Sequence, residues 1–519
     1  MERIIAGWIL MGLGGAVVAA ARRLPGPRGT SLAMSALLAG VAGLWLSVAT
    51  HPPQEVALLV GRPFSVFQTA WVFRLTRESW AQGWGVLAAG LLVGLMWTAY
   101  PGQGRLWPRV LALGLVGAAT GAALAADLFT LLIAWALLDS AFLALLLIRW
   151  GEAVVERAVL AGLVNGAALL GLWAAAVRLW WTGDSIFWSR MAGAAALPLL
   201  LLAALIRLDI YPFHVGRPPE LADEVDRAAL LYVVPTAVGL MLWAHLISLL
   251  QGWGGTPGVA LLLGLTSLLG GLWAWAEPDP RAGLVEAAWG TAAWWALAGL
   301  ARPEVAPLAA ALWPVCFALL FVGPSFVPPS PWGLPALGAL LTLAGLPLTP
   351  GATLGTAVFH AWPVWAWPFL ILLQGLLVGA LLRGWLRPPE ESPSPPAPWA
   401  LLYGVGLGIG VLSLIGLGIA LNAWGPMPIP FRLALLAGTG VGLLLYAQAD
   451  RVHAVAWRWA RVRPFLSLEW LYAGLAQAIH SPAEGLRRAL AFISHPAVMW
   501  LWALVIAGLL LVFWQGSPR

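Results

Sequence analysis

The segment "LPLLLLAALIRLDIYPFHVGRPPELADEVDR" (residues 197–227) decides how this chain is interpreted. It opens with an apolar run and then places Arg207 and Asp209 almost side by side, followed by Pro212. A charged side chain inside a membrane is costly, so each one found there is a hypothesis about function. Proline removes a backbone donor and clashes with the preceding turn, so this helix is predicted to break near Pro212.

The composition identifies the environment of that segment. The chain has 519 residues, of which 61% are hydrophobic and only 10% are charged, whereas soluble proteins carry roughly 25% charged residues. Apolar runs of about eighteen residues or more recur along the chain, which is typical of membrane-spanning helices. The first run, residues 4–21, has no convincing small-residue cleavage site of the kind that ends a signal peptide. It is therefore interpreted as a span. We therefore predict an all-α polytopic membrane protein embedded in a lipid bilayer.

Hydropathy, interrupted by glycine, proline and charge, predicts about sixteen spans. Their approximate cores are 4–21, 31–49, 82–100, 108–126, 127–148, 158–180, 192–212, 228–250, 258–276, 283–300, 306–323, 333–359, 364–386, 399–421, 431–448 and 497–514. Residues 464–493 place apolar residues at helical spacing and are predicted to form an amphipathic surface helix or a plain connecting helix.

A second interrupted helix is predicted in "LTLAGLPLTPGATLGTAVF" (residues 341–359), which contains Gly345, Pro347, Pro350 and Gly351. Two broken helices five spans apart are typical of inverted repeats in transporters, where the ion pathway lies at the breaks. Ordinary proline kinks are the other interpretation. The expected fold is about fourteen core helices with two inverted five-helix repeats, followed by the surface helix and an anchor span.

The charge distribution predicts an orientation and excludes one class of partner. The net charge is +6, and all 28 basic residues are arginine. Arginines cluster in loops between spans, so no nucleic-acid partner is expected. Arg22, Arg23 and Arg28 follow the first span, which predicts that this loop is on the cytoplasmic side of the cell membrane and the N-terminus on the outer side.

Few ionisable residues lie within the predicted spans, and these are the candidates for an ion path. Besides Arg207 and Asp209, they are Asp139, Glu286, His245 and His360. Arg207 is predicted to pair with Asp139 or Asp209, because pairing lowers the cost of a buried charge. The pair then serves either as part of an ion path or as a structural contact between two spans.

Four motifs resemble the antiporter-like membrane subunits of respiratory complex I, Mrp-type cation/proton antiporters and membrane-bound hydrogenases. They are "DLFTLLIAWALLDSAFLALLLI" (127–148), "IRLDIYPFH" (206–214), "DPRAGLVEAAWGTAAWWALAGL" (279–300) and "LAGLPLTPGATLGTAVF" (343–359). The resemblance covers roughly residues 60 to 385. It implies N-terminal helices in 1–107, a first antiporter-like repeat in 108–250, a second in 257–386 and C-terminal helices in 399–519, while composition predicts a proline-rich cytoplasmic linker in 387–398.

The chain departs from that family at the residues that would carry protons. The resemblance implies a glutamate in the fifth span, where this chain has Ala136 with Asp139 one helical turn further on. It implies a lysine in the seventh span, where this chain has Arg207, and further lysines or histidines in spans eight and twelve. The chain contains no lysine at all. Because arginine cannot release a proton in proteins, the predicted ion path is degenerate.

Three functions follow as hypotheses. The chain is a membrane subunit that moves protons or sodium, a non-conducting scaffold subunit of such a complex, or a polytopic membrane enzyme such as a lipid-linked glycosyltransferase. Other membrane subunits are the expected partners. No Rossmann, P-loop or cysteine-cluster motif is present, and Cys316 is single, so no cofactor and no metal site are predicted. Any redox chemistry is assigned to partner subunits.

Overall fold

The computed structural model describes residues 2–21, 28–49, 54–58, 71–100, 106–150, 155–192, 195–216, 225–323, 331–386, 397–460 and 474. Residues Met1–Arg461 form one compact unit, and Val462–Arg519 form another. The predicted surface helix (464–493), anchor span (497–514) and most of the proline-rich linker (387–398) lie outside the described residues.

Seventeen α-helices are present in the described residues. They are α1 (Glu2–Ala21), α2 (Gly29–Leu46), α3 (Arg77–Ala99), α4 (Leu106–Leu124), α5 (Leu128–Trp150), α6 (Val155–Thr182), α7 (Leu197–Arg207), α8 (Val225–Leu250), α9 (Thr256–Ala276), α10 (Pro280–Ala301), α11 (Ala306–Val322), α12 (Leu334–Leu343), α13 (Ala352–Ala361), α14 (Trp367–Trp385), α15 (Ala397–Ala420), α16 (Ile429–Ala447) and α17 (Ala449–Ala460).

The helices confirm the predicted fold class. Twelve of them are long and apolar enough to cross a membrane within the described residues, so the chain is a multi-pass membrane protein. Every predicted span from 4–21 to 431–448 corresponds to a helix, except that 333–359 is divided between α12 and α13. The centre of the bundle is formed by α3 and α11, whose apolar windows are 100% and 94% buried, while α1 and α16 are 28% and 22% buried and form its edge.

A small β-hairpin lies between the second and third predicted spans. β1 (Gln54–Leu58) and β2 (Trp71–Leu75) pair antiparallel. The hairpin is fixed to the turn between α4 and α5, because the Ala126 N–H donates to the carbonyl of Val72 at 2.9 Å. We call this side of the bundle the hairpin side.

The first predicted break is present, and α7 ends before the proline. Asp209 adopts a left-handed conformation with φ of 53°. The Ile210 N–H donates to Leu205 O at 2.9 Å, and the Asp209 N–H donates to Ile206 O at 3.0 Å. These two bonds form a Schellman motif, which satisfies the last carbonyls of a helix. A side chain with a short polar group tolerates this conformation better than most.

The second predicted break is closed by the same motif. Gly345 has φ of 67°, the Leu346 N–H donates to Leu341 O at 3.1 Å, and the Gly345 N–H donates to Thr342 O at 3.0 Å. α13 then begins after Gly351, where a Cβ atom would lie 1.7 Å from Thr342 O, so only glycine fits. Both breaks are confirmed, and the inverted symmetry that would relate them remains a prediction.

Glycines bring α14 and α16 into backbone contact. Gly375 and Gly379 of α14 face Gly438 and Gly442 of α16. A Cβ atom at Gly442 would lie 2.9 Å from the Cβ of Val378 and 3.0 Å from Gly375 O. Small residues at four-residue spacing allow membrane helices to approach this closely and gain van der Waals contact. This contact attaches the C-terminal helix α16 to the second half of the bundle.

Gly442→Leu is expected to lower the free energy of unfolding by about 1–3 kcal/mol, since the added side chain overpacks this contact. Gly440→Leu is the matched control, because Gly440 lies on the same helix and no atom would be within 4 Å of its Cβ. Thermal unfolding in detergent, followed by circular dichroism, measures both. Equal unfolding temperatures for the two variants would contradict the glycine contact.

Candidate ion-pathway site

A buried ion pair joins α5 and α7 at the first break. Arg207, the last residue of α7, is 1% exposed, and Asp139 of α5 is 8% exposed. The Arg207 Nη2 lies 2.5 Å from Asp139 Oδ1, which is a direct charge-assisted hydrogen bond. The predicted contact between these residues is therefore confirmed, with Asp139 as the direct partner. Its role in an ion path is untested.

Two further elements hold the guanidinium in place. Arg207 Nη1 donates to Asn165 Oδ1 of α6 at 2.9 Å, and the guanidinium carbon lies 4.5 Å from the ring centroid of Trp135 on α5. On the α8 side, a Cβ atom at Gly239 would lie 3.1 Å from Arg207 Cγ. Arg207 is therefore enclosed by α5, α6 and α8. Sequence analysis did not single out Asn165, because an isolated amide in an apolar run carries no local signal.

A small cavity adjoins the ion pair. Its volume is about 10 Å³, and Asn165, Arg207, Asp209, Leu231 and Pro235 contribute to its lining. A cavity of this size, with several polar groups around it, has room for one water molecule. Asp209, which is 8% exposed, thus lies at the same cavity as Arg207.

The second break is built from neutral groups. The Schellman motif places Leu343 and Gly345 where the first break has Arg207 and Asp209. Gln374 of α14 is 3% exposed, and its Nε2 donates to Ala344 O at 2.7 Å. An uncharged amide therefore satisfies the carbonyl freed by this break, and residues 344–351 contain no ionisable side chain.

Glu286 and His214 contact the same indole between the two halves of the bundle. Glu286 Oε2 accepts a hydrogen bond from Trp289 Nε1 at 2.6 Å. The His214 ring, in the 3₁₀ turn Phe213–Gly216 after the break, lies 5.3 Å from the Trp289 ring and 4.8 Å from that of Trp273. His214 was not predicted as a site residue, although the motif "IRLDIYPFH" ends on it.

The other two predicted histidines lie elsewhere in the bundle. His245, in the second half of α8, stacks on Trp188 at 4.9 Å with an interplanar angle of 6°. His360, in the last turn of α13, is exposed and lies 5.8 Å from the ring of Phe431. The structure therefore does not gather all predicted residues into one site. No group of three His, Cys, Asp or Glu side chains suited to a metal forms among the described residues.

Asp127 is a buried carboxylate on the hairpin side that sequence analysis missed. It is 0% exposed and caps α5, since the Thr130 N–H donates to its Oδ1 at 2.7 Å. The Thr130 hydroxyl donates to Asp127 Oδ2 at 3.2 Å and accepts from the Val72 N–H of the hairpin at 2.9 Å. Burial raises the pKa of Asp127 to about 6, and this effect outweighs the hydrogen bonds from Thr130, which lower it.

The described residues therefore form a bundle of membrane-spanning helices with two interrupted helices, one of which ends in a buried ion pair. Solved structures of three membrane complexes are among those that share this fold. A chain of the Mrp complex from Dietzia sp. DQ12-45-1b matches with a TM-score of 0.72 and 17% identity over 99% of this chain and 63% of that one. This chain therefore spans less than two thirds of that relative.

The two other structures are matched over nearly their full length. A chain of the membrane-bound sulfane sulfur reductase, an archaeal respiratory membrane complex, has a TM-score of 0.65 and 16% identity over 97% of this chain and 99% of that one. A chain of respiratory complex I from Thermus thermophilus has a TM-score of 0.53 and 20% identity over 85% and 96%. At these identities the similarity shows the fold, which is the one the resemblance implied.

Sequence comparisons add no closer relative. No protein-family model matches the chain, and no curated protein sequence matches it.

Asp139→Ala is expected to lower the free energy of unfolding by about 3–5 kcal/mol, because it leaves Arg207 buried without its counter-charge. Removing both charges with Asp139→Leu and Arg207→Met is expected to restore most of that stability. Thermal unfolding in detergent measures the effect. Ser140→Ala is the control, since Ser140 is exposed and its hydroxyl bonds only its own helix at Ala136 O. An Asp139→Ala variant as stable as this control would refute the pair's structural role.

Asp127→Asn is expected to change how stability depends on pH. The pKa of Asp127 is raised in the folded protein from 3.8 to about 6, so folding favours the protonated carboxyl. Relative to Asp127→Asn, the wild type should lose stability as pH rises from about 4 to about 6 and differ by a constant amount above that. Unfolding temperatures between pH 4 and 8 test this expectation.

Asp127→Ala provides the matched comparison. Asparagine still accepts the Thr130 N–H, whereas alanine does not, so the alanine variant should be less stable than the asparagine variant by about 1 kcal/mol at every pH. A pH dependence that survives in Asp127→Asn would show that another group titrates.

Proposed function

We propose that this chain is an antiporter-like subunit of a multisubunit membrane complex, with an interrupted relay, and that it transports protons or sodium poorly or not at all by itself. The observation that carries the proposal is the Arg207–Asp139 pair. Arg207 stands where the resemblance implies a lysine, and its guanidinium is paired and enclosed on three sides. The chain then acts through assembly with partner subunits.

The chemistry of arginine supports the interruption. A buried lysine shifts its pKa readily and can pass a proton on, whereas a guanidinium stays protonated. Arg207 can therefore hold Asp139 and contribute a fixed positive charge, but it cannot act as a relay step. Asp139 and Arg207 neutralise each other, so the carboxylate that a transported ion would have to bind is already paired.

The second half of the bundle supports the same conclusion. Its break carries Leu343 and Gly345, and its freed carbonyl is satisfied by Gln374. None of these groups titrates.

The middle of α8 offers Pro235, Thr236 and Gly239, which also lack a titratable group. A proton entering from the first half would need a chain of water to continue.

The structures that share the fold support the proposed partners. The structures that share the fold are named as the Mrp complex, an archaeal respiratory membrane complex and respiratory complex I. By analogy, other membrane subunits are the partners that we propose for this chain. We further propose the cell membrane as its location, with the N-terminus outside, on the arginine distribution alone.

A conducting subunit is the second candidate. The water-sized cavity beside Arg207 and Asp209, and the placement of Glu286 and His214 on one indole, favour it. These groups would supply titratable sites in the first half and between the halves. Conduction through them requires water to bridge the neutral region of α8.

Reconstitution in liposomes separates the two candidates. Under an imposed gradient, with a pH-sensitive dye inside, the wild type is expected to acidify the interior no faster than empty liposomes. The control is an antiporter of known activity reconstituted in the same way. Rapid proton flux that Asp139→Asn abolishes would show that water or hydroxyl groups bridge the gap, and the proposal of an interrupted relay would be wrong.

A further inference from the structure

The end of the bundle opposite the hairpin side carries a cluster of positive groups where three helices begin. α2, α4 and α15 start there, at Gly29, Leu106 and Ala397. Arg109 of α4 reaches Thr30 of α2, and Arg28 lies 5.0 Å from the ring centroid of Trp399 on α15. We call Arg28, Thr30, Ser31, Arg109 and Trp399 the anion corner.

Arg109 brings a buried positive charge to this corner. Its side chain is 5% exposed, and its Nη1 donates to Thr30 Oγ1 at 2.7 Å. The preference of arginine for cytoplasmic loops explains an arginine at the membrane surface. It does not explain one that is buried against the first turn of another helix, where the charge is desolvated.

The first turn of α2 adds donors to the corner. Gly29, Thr30 and Ser31 are all buried, and no side chain caps this helix end. The N–H groups of a helix start carry partial positive charge and bind anions. Among the described residues, no side chain satisfies the N–H donors of this buried helix end.

A buried hydroxyl points independently to a ligand. Ser31 is 0% exposed, and its Oγ forms no hydrogen bond with any described residue. Because Cα–Cβ bonds tilt toward the N-terminus of a helix, the Cβ atom that carries this hydroxyl lies toward the start of α2. The Nε of Arg28 is also buried and forms no hydrogen bond within the described part of the chain. An acceptor with several oxygens placed here would satisfy both groups.

The surrounding sequence offers no acid to neutralise the corner. Residues 22–49 and 99–126 contain no Asp or Glu, while they contain five arginines, at positions 22, 23, 28, 105 and 109. The nearest acids before α15 are Glu390 and Glu391, which lie outside the described residues. The described residues of the anion corner therefore include two arginines and no acid.

From this arrangement we propose that the anion corner binds a phosphate group, and that the phosphate is that of an anionic phospholipid headgroup. A phosphate accepts bidentate hydrogen bonds from arginine and further bonds from hydroxyl and backbone N–H groups. The depth of the site favours a lipid, because Trp107 in the first turn of α4 is 60% exposed and exposed indoles prefer the headgroup level of a membrane. This site is independent of the proposed loss of conduction.

Native mass spectrometry of the full chain in detergent tests the proposal. The wild type is expected to retain phosphatidylglycerol in preference to phosphatidylcholine. Arg28→Gln should weaken phosphatidylglycerol binding by roughly tenfold and Ser31→Ala by about threefold, since charged hydrogen bonds contribute more than neutral ones. Neither change removes Arg109, whose loss would also affect packing. Circular dichroism checks that each variant is folded.

The control is Arg451→Gln, which removes an exposed arginine of α17 without touching the corner, and it should bind as the wild type does. Inorganic phosphate distinguishes the source of the phosphate. Displacement of the lipid by millimolar phosphate alone would assign the site to free phosphate, and a lack of displacement supports the lipid. Equal retention of both lipids, or equal loss in Arg451→Gln and Arg28→Gln, would overturn the proposal.

Discussion

Burying a guanidinium and a carboxylate together in a membrane bundle requires that each be the other's partner in every folded molecule. Desolvation of either charge alone costs several kcal/mol, and only close geometry with additional hydrogen bonds offsets it. Arg207 meets that requirement through Asp139, Asn165 and the ring of Trp135. This one contact joins α5, α6 and α7, and α8 packs closely against it at Gly239.

The need to pair a buried charge also distinguishes the break in the first half of the bundle from the break in the second half. The helix ends of α7 and α12 share a Schellman motif with one left-handed residue, so the same hydrogen bonds close both backbones. Their side chains differ, because one break is filled by an ion pair and the other by a glycine and an amide. Backbone geometry alone thus does not create an ion site. The chemistry of each break is set by the side chains that occupy it.

Much of this architecture was predictable from the sequence, and the reasons are physical. Apolar runs interrupted by glycine and proline report the spans directly, and an ionisable residue in such a run stands out, which is why Arg207 is predicted to pair with Asp139 or Asp209. Asn165, Asp127 and His214 were missed because their roles arise from tertiary neighbours. The hairpin was also missed, since β1 and β2 are short and take their support from the α4–α5 turn. The cause of the first break was placed at Pro212, whereas α7 ends at Arg207, with Asp209 adopting the left-handed turn.

The neutrality of the Arg207–Asp139 pair also bears on how the bundle responds to voltage. A single charge moved across a membrane gains or loses about 2.3 kcal/mol per 100 mV. A pair with no net charge experiences no net force from the same field, however deep it lies. Asp139 stands near the middle of α5, where an unpaired carboxylate would sense much of the potential. The ion pair therefore adds no net charge to the centre of the first half, and moving α5 and α7 together across the field requires no electrical work at this pair.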